Sequence, residues 1–356
     1  MQAARLSQPG TIRVDEVARP APGPGDVLVR VEATGICGSD RHMFRGEYPT
    51  ALPVTLGHEF CGIVETAGAG VTRLRPGDRI TADPNIGCGH CAACRAGRVN
   101  LCSTLQAIGV TRDGGFAEYV VMPEQQAIAL PADLDPQHGA FSEPLACCLH
   151  GLDVAAIKPG DTVAVLGGGV IGLLMVELAR LAGASRVMLS TRQAARRTLA
   201  LKVGATDVIN PSTGDPVEAM RAVAPDGVDV ALECAGVPET FRQSLAAVRR
   251  GGTAVLFGVM AKGQTVEVEP FDLLFREVRL LPAYLNPPTH RRAAQMIAAI
   301  VVDDDIVLAM RQAVAALPMR PVHHHLLDDL LLHDMRGAMI LVMEVLRLGE
   351  GGRRGE

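Results

Sequence analysis

Residues 163–172 read VAVLGGGVIG, an apolar run that breaks at three glycines and resumes as an apolar segment with helical spacing. Gly167, Gly169 and Gly172 fall in the order G-x-G-x-x-G between a predicted strand, DTVAVLGGG, and a predicted helix, VIGLLMVELARLAG. This feature constrains the fold most, because a strand that passes into a helix across so tight a turn opens a βαβ unit. Gly167 permits the turn, Gly169 lets backbone approach a pyrophosphate, and Gly172 lets helix and strand pack closely. The helix start at Val170 and Ile171 adds N–H donors and the positive end of the helix dipole. Downstream, RVMLS, DVALECAG, TAVLFGV and VRLLPAY read as strands, and AARRTLALKVG and FRQSLAAVRRGG as helices. The alternation predicts an α/β fold with a doubly wound parallel (Rossmann) sheet that binds a dinucleotide.

The first 130 residues have another texture, with short β-like runs (DVLVRVEATG, FCGIVETAGA, FAEYVVM) among glycines and prolines. A chain of 356 residues exceeds one typical core. The parallel unit is therefore expected at 148–284, inserted in a discontinuous, mainly β domain made of 1–147 and 285–356, with a cysteine-rich lobe at 85–104. PPTHRRAAQMIAAIV begins a further helix. Beyond about residue 302 the tail follows no clear period, and its run His323, His324, His325 reads as solvated surface, since adjacent side chains seldom face one ion.

A net charge of -5 and a pI near 6.1 exclude any general electrostatic case for nucleic acid or an anionic membrane as partner. The longest apolar candidate, VAVLGGGVIGLLMV, is 14 residues broken by glycines, and the N-terminal residues do not read as a signal peptide. A soluble, cytoplasmic protein with a small-molecule partner is expected. In a reducing compartment, clustering of some of the nine cysteines favours metal over disulfides.

GCGHCAACRAGRVNLC sets Cys88, Cys91, Cys94 and Cys102 at C-x2-C-x2-C-x7-C. Two-residue gaps let successive thiolates turn around one ion, and four thiolates form the closed shell of a structural zinc, with an iron–sulfur cluster or unligated thiols as alternatives. His90, Arg95 and Arg98 are placed to offset the excess negative charge.

Other ligand-type residues are scattered: Cys37 in TGICGSDRH, His58 and Glu59 in TLGHEF, Glu143 in FSEPLACC. Each alone reads as a packed core residue. Together, in order, GICGSD, LGHEFCGIV, the cysteine lobe, GGFAEYV, EPLACCLHG and VLGGGVIG resemble the zinc-dependent medium-chain dehydrogenases, in their sorbitol (polyol) and threonine dehydrogenase branch. The resemblance spans about residues 10 to 285. It implies a GroES-like catalytic domain, two zincs per chain, a small secondary alcohol oxidised to a ketone, and a homotetramer or homodimer, with a threonine-type amino-alcohol dehydrogenase and a non-catalytic NADPH- or zinc-binding protein as alternatives.

By that resemblance Cys37, His58 and Glu59 are catalytic-zinc ligands, with Glu143 direct or linked through water. Three protein ligands leave one position open. A secondary hydroxyl must lose its proton before hydride leaves carbon, and zinc beside it lowers its pKa. Ser39 and His42 are placed on the outward proton relay, with Asp40 orienting the local structure, although Ser39 and Asp40 could equally cap the helix that begins there. Phe116 and Tyr284 are expected to wall the substrate pocket, with Phe44 and Tyr48 as further candidates, and His150 is a candidate near the nicotinamide. Ala283 stands where polyol relatives carry an arginine, which argues against a long polyol. Cys61, Cys147, Cys148 and Cys234 read as core thiols.

The stretch LSTRQAARR follows the second strand of the dinucleotide unit. An acidic residue normally stands about 20 residues beyond the glycines to hold the cofactor's ribose. Here Thr191 takes that place, and Arg192, Arg196 and Arg197 follow. Arg192 and Arg196, four residues apart, are read as facing one anion, with Arg197 as a bystander. Two charge-assisted contacts at about 1.5 kcal/mol each would favour NADP over NAD roughly a hundredfold, whereas a solvated basic face would favour neither.

Overall fold

The computed structural model describes residues 1–299. The histidine run and the tail beyond residue 302 lie outside the described residues. The chain divides into two compact units, Met1–Ala146 with the returning segment from Pro287, and Cys147–Asn286.

The second unit is built on six parallel strands. In space they run Asp207–Ile209, Arg186–Ser190, Thr162–Leu166, Val228–Glu233, Val248–Leu256, Arg279–Pro282, the doubly wound order 3-2-1-4-5-6. Val163–Leu166, Val187–Leu189 and Val230–Leu232 are buried at every position, as expected for strands covered on both faces. The order reverses between Thr162–Leu166 and Val228–Glu233. Ligands of such sheets bind beyond the carboxyl ends of the strands at that reversal, where the glycine turn lies. One expectation needs correction. FRQSLAAVRRGG is not all helix: the helix Pro238–Ala247 stops there and Val248–Leu256 is a single strand. Val248 already pairs with Val228, and this ladder overrides the helical period of the preceding residues.

The first unit carries five antiparallel strands in the order Ala127–Ala129, Arg79–Ala82, Glu59–Ala67, Asp26–Gly35, Tyr119–Pro123. Val27, Val29, Val31, Phe60, Val64, Ile80, Val120 and Met122 fill its core. A second sheet orders Thr11–Glu16, Gln2–Gln8 and Val54–Thr55. Asn85–Ile86 pairs with Gln106–Ala107 and so closes the base of the loop that holds the four cysteines. The returning helix His290–Ala299 is tied in by Thr289, whose hydroxyl donates to the Ala146 carbonyl at 2.7 Å. Among the described residues, no helix is long and apolar enough to cross a membrane.

Candidate metal and nucleotide sites

Strand register assembles the first site. Gly35, the last residue of its strand, lies opposite Glu59, the first residue of the next. Cys37, two residues beyond, therefore meets His58 and Glu59, and the three ligand atoms lie within 4.8 Å of one another. Gly57 makes the approach possible: its φ is +93°, and a Cβ there would stand 2.3 Å from the Phe116 ring. Phe116 has no exposed surface and packs with Leu6, Met43, Phe44 and Leu56, with Tyr48 half-buried against the same group. It thus forms the floor beneath the Gly57–His58 turn.

Helix Gly38–Phe44 starts at Cys37. The fully buried Asp40 turns one carboxylate oxygen back to accept the Cys37 N–H at 2.8 Å, and its other oxygen stands 3.5 Å from His58 Nδ1. Asp40 therefore completes the capping box of the helix and sets a carboxylate beside the imidazole, the place of the carboxylates behind metal-binding histidines. Ser39 does not cap. Its Oγ lies 3.3 Å from His58 Nε2. His42, three residues along the helix, places Nδ1 2.7 Å from Glu47 Oε2, a partner that sequence inspection missed.

Electrostatics in this pocket are those of a site built for a cation. Burial lowers the His58 pKa, but the Asp40 carboxylate and Cys37 thiol more than offset that and hold it well above the ordinary value. Glu59 is pushed up to about 8 by burial and by the nearby Glu143 and Asp40, against the pull of His58. Burial also raises the Cys37 thiol. Glu59 Oε2 is buried without a hydrogen-bond partner. Thiolate, imidazole and carboxylate suit zinc, and an ion here would satisfy that oxygen. Glu143, buried in the first turn of helix Ser142–Ala155, acts on Glu59 through space but stands outside the group of three.

In the lobe the four sulfurs also lie within 4.8 Å of one another. The N–H groups of Cys88, Cys91 and Cys94 each point at a neighbouring cysteine sulfur at 3.4 Å. Backbone donors, more than side chains, offset the thiolate charge: Arg95 and Arg98 are exposed, and His90 Nδ1 pairs with the Cys88 carbonyl at 2.8 Å. The donor set and its closure on all four sides fit a structural zinc. Cys61 and Cys148 are core thiols, the former pushed up to about 12 by burial.

In the second unit Gly167 takes φ +112°, and its N–H donates to the Ser190 carbonyl at 3.0 Å. Gly172 sits so close that a Cβ would lie 1.8 Å from the Gly167 oxygen. At Gly169, the N-cap of helix Val170–Leu181, a Cβ would meet no protein atom within 4 Å. Gly168, which the G-x-G-x-x-G reading passes over, is pinned by Thr191, whose side chain would stand 2.7–2.8 Å from its Cβ.

The arginine cluster differs from its sequence reading in two respects. Helix Ala194–Lys202 has Gln193 as N-cap, so Arg192 lies on the loop before it and does not share a helical turn with Arg196. Arg197 is no bystander: its Nη1 donates to the Thr191 and Arg192 carbonyls at 2.8 and 2.7 Å. Tyr284 is exposed in this unit, and His150 is half-buried on helix Ser142–Ala155.

Comparison with known proteins identifies the family. Residues 23–132 match the alcohol dehydrogenase GroES-like domain, and residues 170–301 match the zinc-binding dehydrogenase family. Sorbitol dehydrogenase of Bacillus subtilis (strain 168) is 34% identical over 277 residues, covering 76% of this chain and 78% of that protein. L-threonine 3-dehydrogenase of Thermococcus kodakarensis is 37% identical over 275 residues, covering 75% and 78%. A crystal structure of a zinc-binding dehydrogenase from Sinorhizobium meliloti 1021, bound to NADP, is 60% identical with a TM-score of 0.82, covering 84% of this chain and 88% of that one. With both family domains matched in order, and with relatives of this identity along three quarters of its length, the chain belongs to the zinc-dependent medium-chain alcohol dehydrogenase family.

Proposed function

We propose that the protein reversibly oxidises the secondary hydroxyl of a small alcohol, a polyol or sugar or a related compound, to a ketone with NADP as hydride acceptor. The observation that carries this reading is the Cys37–His58–Glu59 group, with Cys37 half-buried and the other two buried, whose side chains have zinc-binding chemistry; three protein ligands would leave one position open for substrate. Held by these residues, zinc would supply the Lewis acidity that makes a neighbouring hydroxyl a stronger acid. Glu143 would act on the site through water. A cofactor held at the glycine turn would supply the hydride acceptor.

The remaining roles belong to the chain itself. Asp40 fixes the His58 ring. Ser39 Oγ, 3.3 Å from His58 Nε2, receives the proton leaving the hydroxyl and passes its own outward. His42 lies one turn along the same helix. Glu47 accepts its Nδ1 proton, which leaves Nε2 as the nitrogen that takes up the next one. The empty space over Gly169 gives a pyrophosphate close backbone contact. Thr191 removes the carboxylate that would repel a 2′-phosphate, and Arg192 and Arg196 offer that phosphate its partners. The NADP bound to the 60% identical relative supports this choice.

The same reading makes the protein a cytoplasmic homotetramer or homodimer. A threonine-type amino-alcohol dehydrogenase is the second reading, favoured by the L-threonine 3-dehydrogenase relatives. Two measurements test the proposal together: zinc per chain by elemental analysis, and NADPH formation across polyols, sugars and hydroxy amino acids. The expected result is about two zincs, turnover of a polyol or sugar, and a preference for NADP⁺ of roughly a hundredfold. A single zinc with no turnover, or equal efficiency with NAD⁺, refutes it.

A further inference from the structure

We propose that Arg197 is a positioning residue of the cofactor-selecting loop, setting the backbone from which Arg192 reaches the 2′-phosphate. The inference rests on the reading of Arg192 as a phosphate partner and goes beyond it, because Arg197 itself is not assigned a contact with the cofactor.

Three restraints converge on the loop between strand Arg186–Ser190 and helix Ala194–Lys202. The Thr191 N–H donates to the Ile209 carbonyl at 3.0 Å, which ties the loop to the neighbouring strand. The Thr191 side chain packs over Gly168 and registers the loop against the glycine turn. The third restraint is Arg197 Nη1, which holds the successive carbonyls of Thr191 and Arg192 at 2.8 and 2.7 Å. Two consecutive carbonyls converge on one nitrogen only if the chain curls at that point, so the guanidinium determines the curl.

The electrostatic consequence is as direct as the steric one. Two carbonyl oxygens carry partial negative charge, and beside a bound phosphate they would repel it. A guanidinium seated on both oxygens masks them and leaves positive charge in the loop. NAD⁺ places no anion there, so the brace bears on NADP⁺ selectively. Thr191 is buried while Arg192 is exposed, so the backbone atoms that Arg197 grips are the ones that aim the exposed side chain.

The test compares Arg197→Ala, Arg197→Lys and Arg192→Ala, with Kd for NADP⁺ and NAD⁺ measured by calorimetry on the zinc-loaded protein and melting temperature as a folding control. The expected outcome is that Arg197→Ala weakens NADP⁺ about tenfold and leaves NAD⁺ within about twofold, with Arg197→Lys recovering part of the loss. A merely structural role would weaken both cofactors alike, and that result overturns the proposal. It is also overturned if Arg192→Ala abolishes the preference for NADP⁺ while Arg197→Ala leaves that preference at its native value. If Arg192→Ala leaves the preference intact, it is the underlying reading of Arg192 that fails. Should Arg197→Ala not fold, Arg197→Lys carries the same comparison, with a smaller loss expected for NADP⁺ alone.

Discussion

Two glycines of the same turn lack a Cβ for different reasons, and alanine at each should separate stability from cofactor binding. At Gly172 the new methyl would lie 1.8 Å from the Gly167 carbonyl oxygen, 3.0 Å from its carbon and 3.5 Å from a Val165 methyl. The obstacle is backbone, so helix and turn must part by about 1.5 Å before ordinary contact is restored. Overpacking of this kind costs about 1–3 kcal/mol, and a backbone obstacle puts it at the upper end. The better helix propensity of alanine offsets about 1 kcal/mol, leaving about 2 kcal/mol net. For a unit of this size that corresponds to a fall of about 4–8 °C in the melting temperature of the cofactor-free protein. At Gly169 the methyl meets no protein atom, and the backbone at φ -71°, ψ -175° suits any residue. Gly169→Ala should therefore shift the apo melting temperature by only about 1–2 °C, while its methyl enters the space a pyrophosphate needs and raises the Kd for NADPH at least tenfold, on the order of 1.4 kcal/mol. NADPH fluorescence is a clean assay, because the chain contains no tryptophan. Equal loss of apo stability in the two variants, or native NADPH affinity in Gly169→Ala, would refute the reasoning.

Three further perturbations test other parts of the structure. His290 is buried and its pKa is pushed by burial down to about 3, so the unfolded chain binds a proton that the folded chain refuses; stability is full above the unfolded value near 6.5 and is lost as pH falls from there towards 3. Between pH 7 and pH 5 the loss is about 2 kcal/mol, and His290→Gln should flatten the difference in urea midpoints between these pH values; an unchanged pH dependence excludes His290 as its source. Cys102→Ser should reduce zinc from about two per chain to one and lower thermal stability, with the Cys37 site still loaded; loss of both ions would show that the two sites are coupled. His42→Gln should slow turnover by about 10²-fold at the chemical step, whereas Glu47→Ala should slow it about tenfold and have no further effect in the His42→Gln background; additive losses in single-turnover rates would place Glu47 outside the relay.

The nucleotide-binding unit was legible in the sequence because each of its parts is stated locally. Buried parallel strands are short apolar runs, the helices carry a 3.6-residue period, and the turn needs glycines at set positions for set reasons. Local reading fails where a tertiary signal overrides it, as at Val248–Arg250, which continue the helical period up to the stop at Gly251 but are drawn into a strand by pairing with Val228–Glu233. The Cys37–His58–Glu59 group is the opposite case. Twenty residues separate Cys37 from His58, and the pairing of Gly35 with Glu59 that unites them leaves no periodic trace. Only the joint occurrence of several motifs could locate it. Asp40 and Glu47 were harder still, since a carboxylate on a short helix or just beyond it reads equally well as a cap, an ion pair or a ligand orienter until distances are known.

The arginines show why spacing alone misassigns a side chain at an element boundary. Counting four residues from Arg192 to Arg196 presumes a helix that has already begun, but Gln193 is its cap and Arg192 precedes it. Counting five to Arg197 sends that side chain to another face, yet a residue in the first turn can reach back to carbonyls of the loop, which have no helical partners. Both facts follow from where the helix starts, the least reliable quantity in any sequence reading. Thr191 links this boundary to the glycine turn. Its branched side chain occupies the space over Gly168, so the position that in relatives of the motif offers a carboxylate to ribose here serves as packing. An aspartate introduced at 191 would need to leave that seat in order to meet a ribose. On the proposed NADP reading, a switch to NAD should therefore require Thr191→Asp together with removal of Arg192, and Thr191→Asp alone should weaken both cofactors.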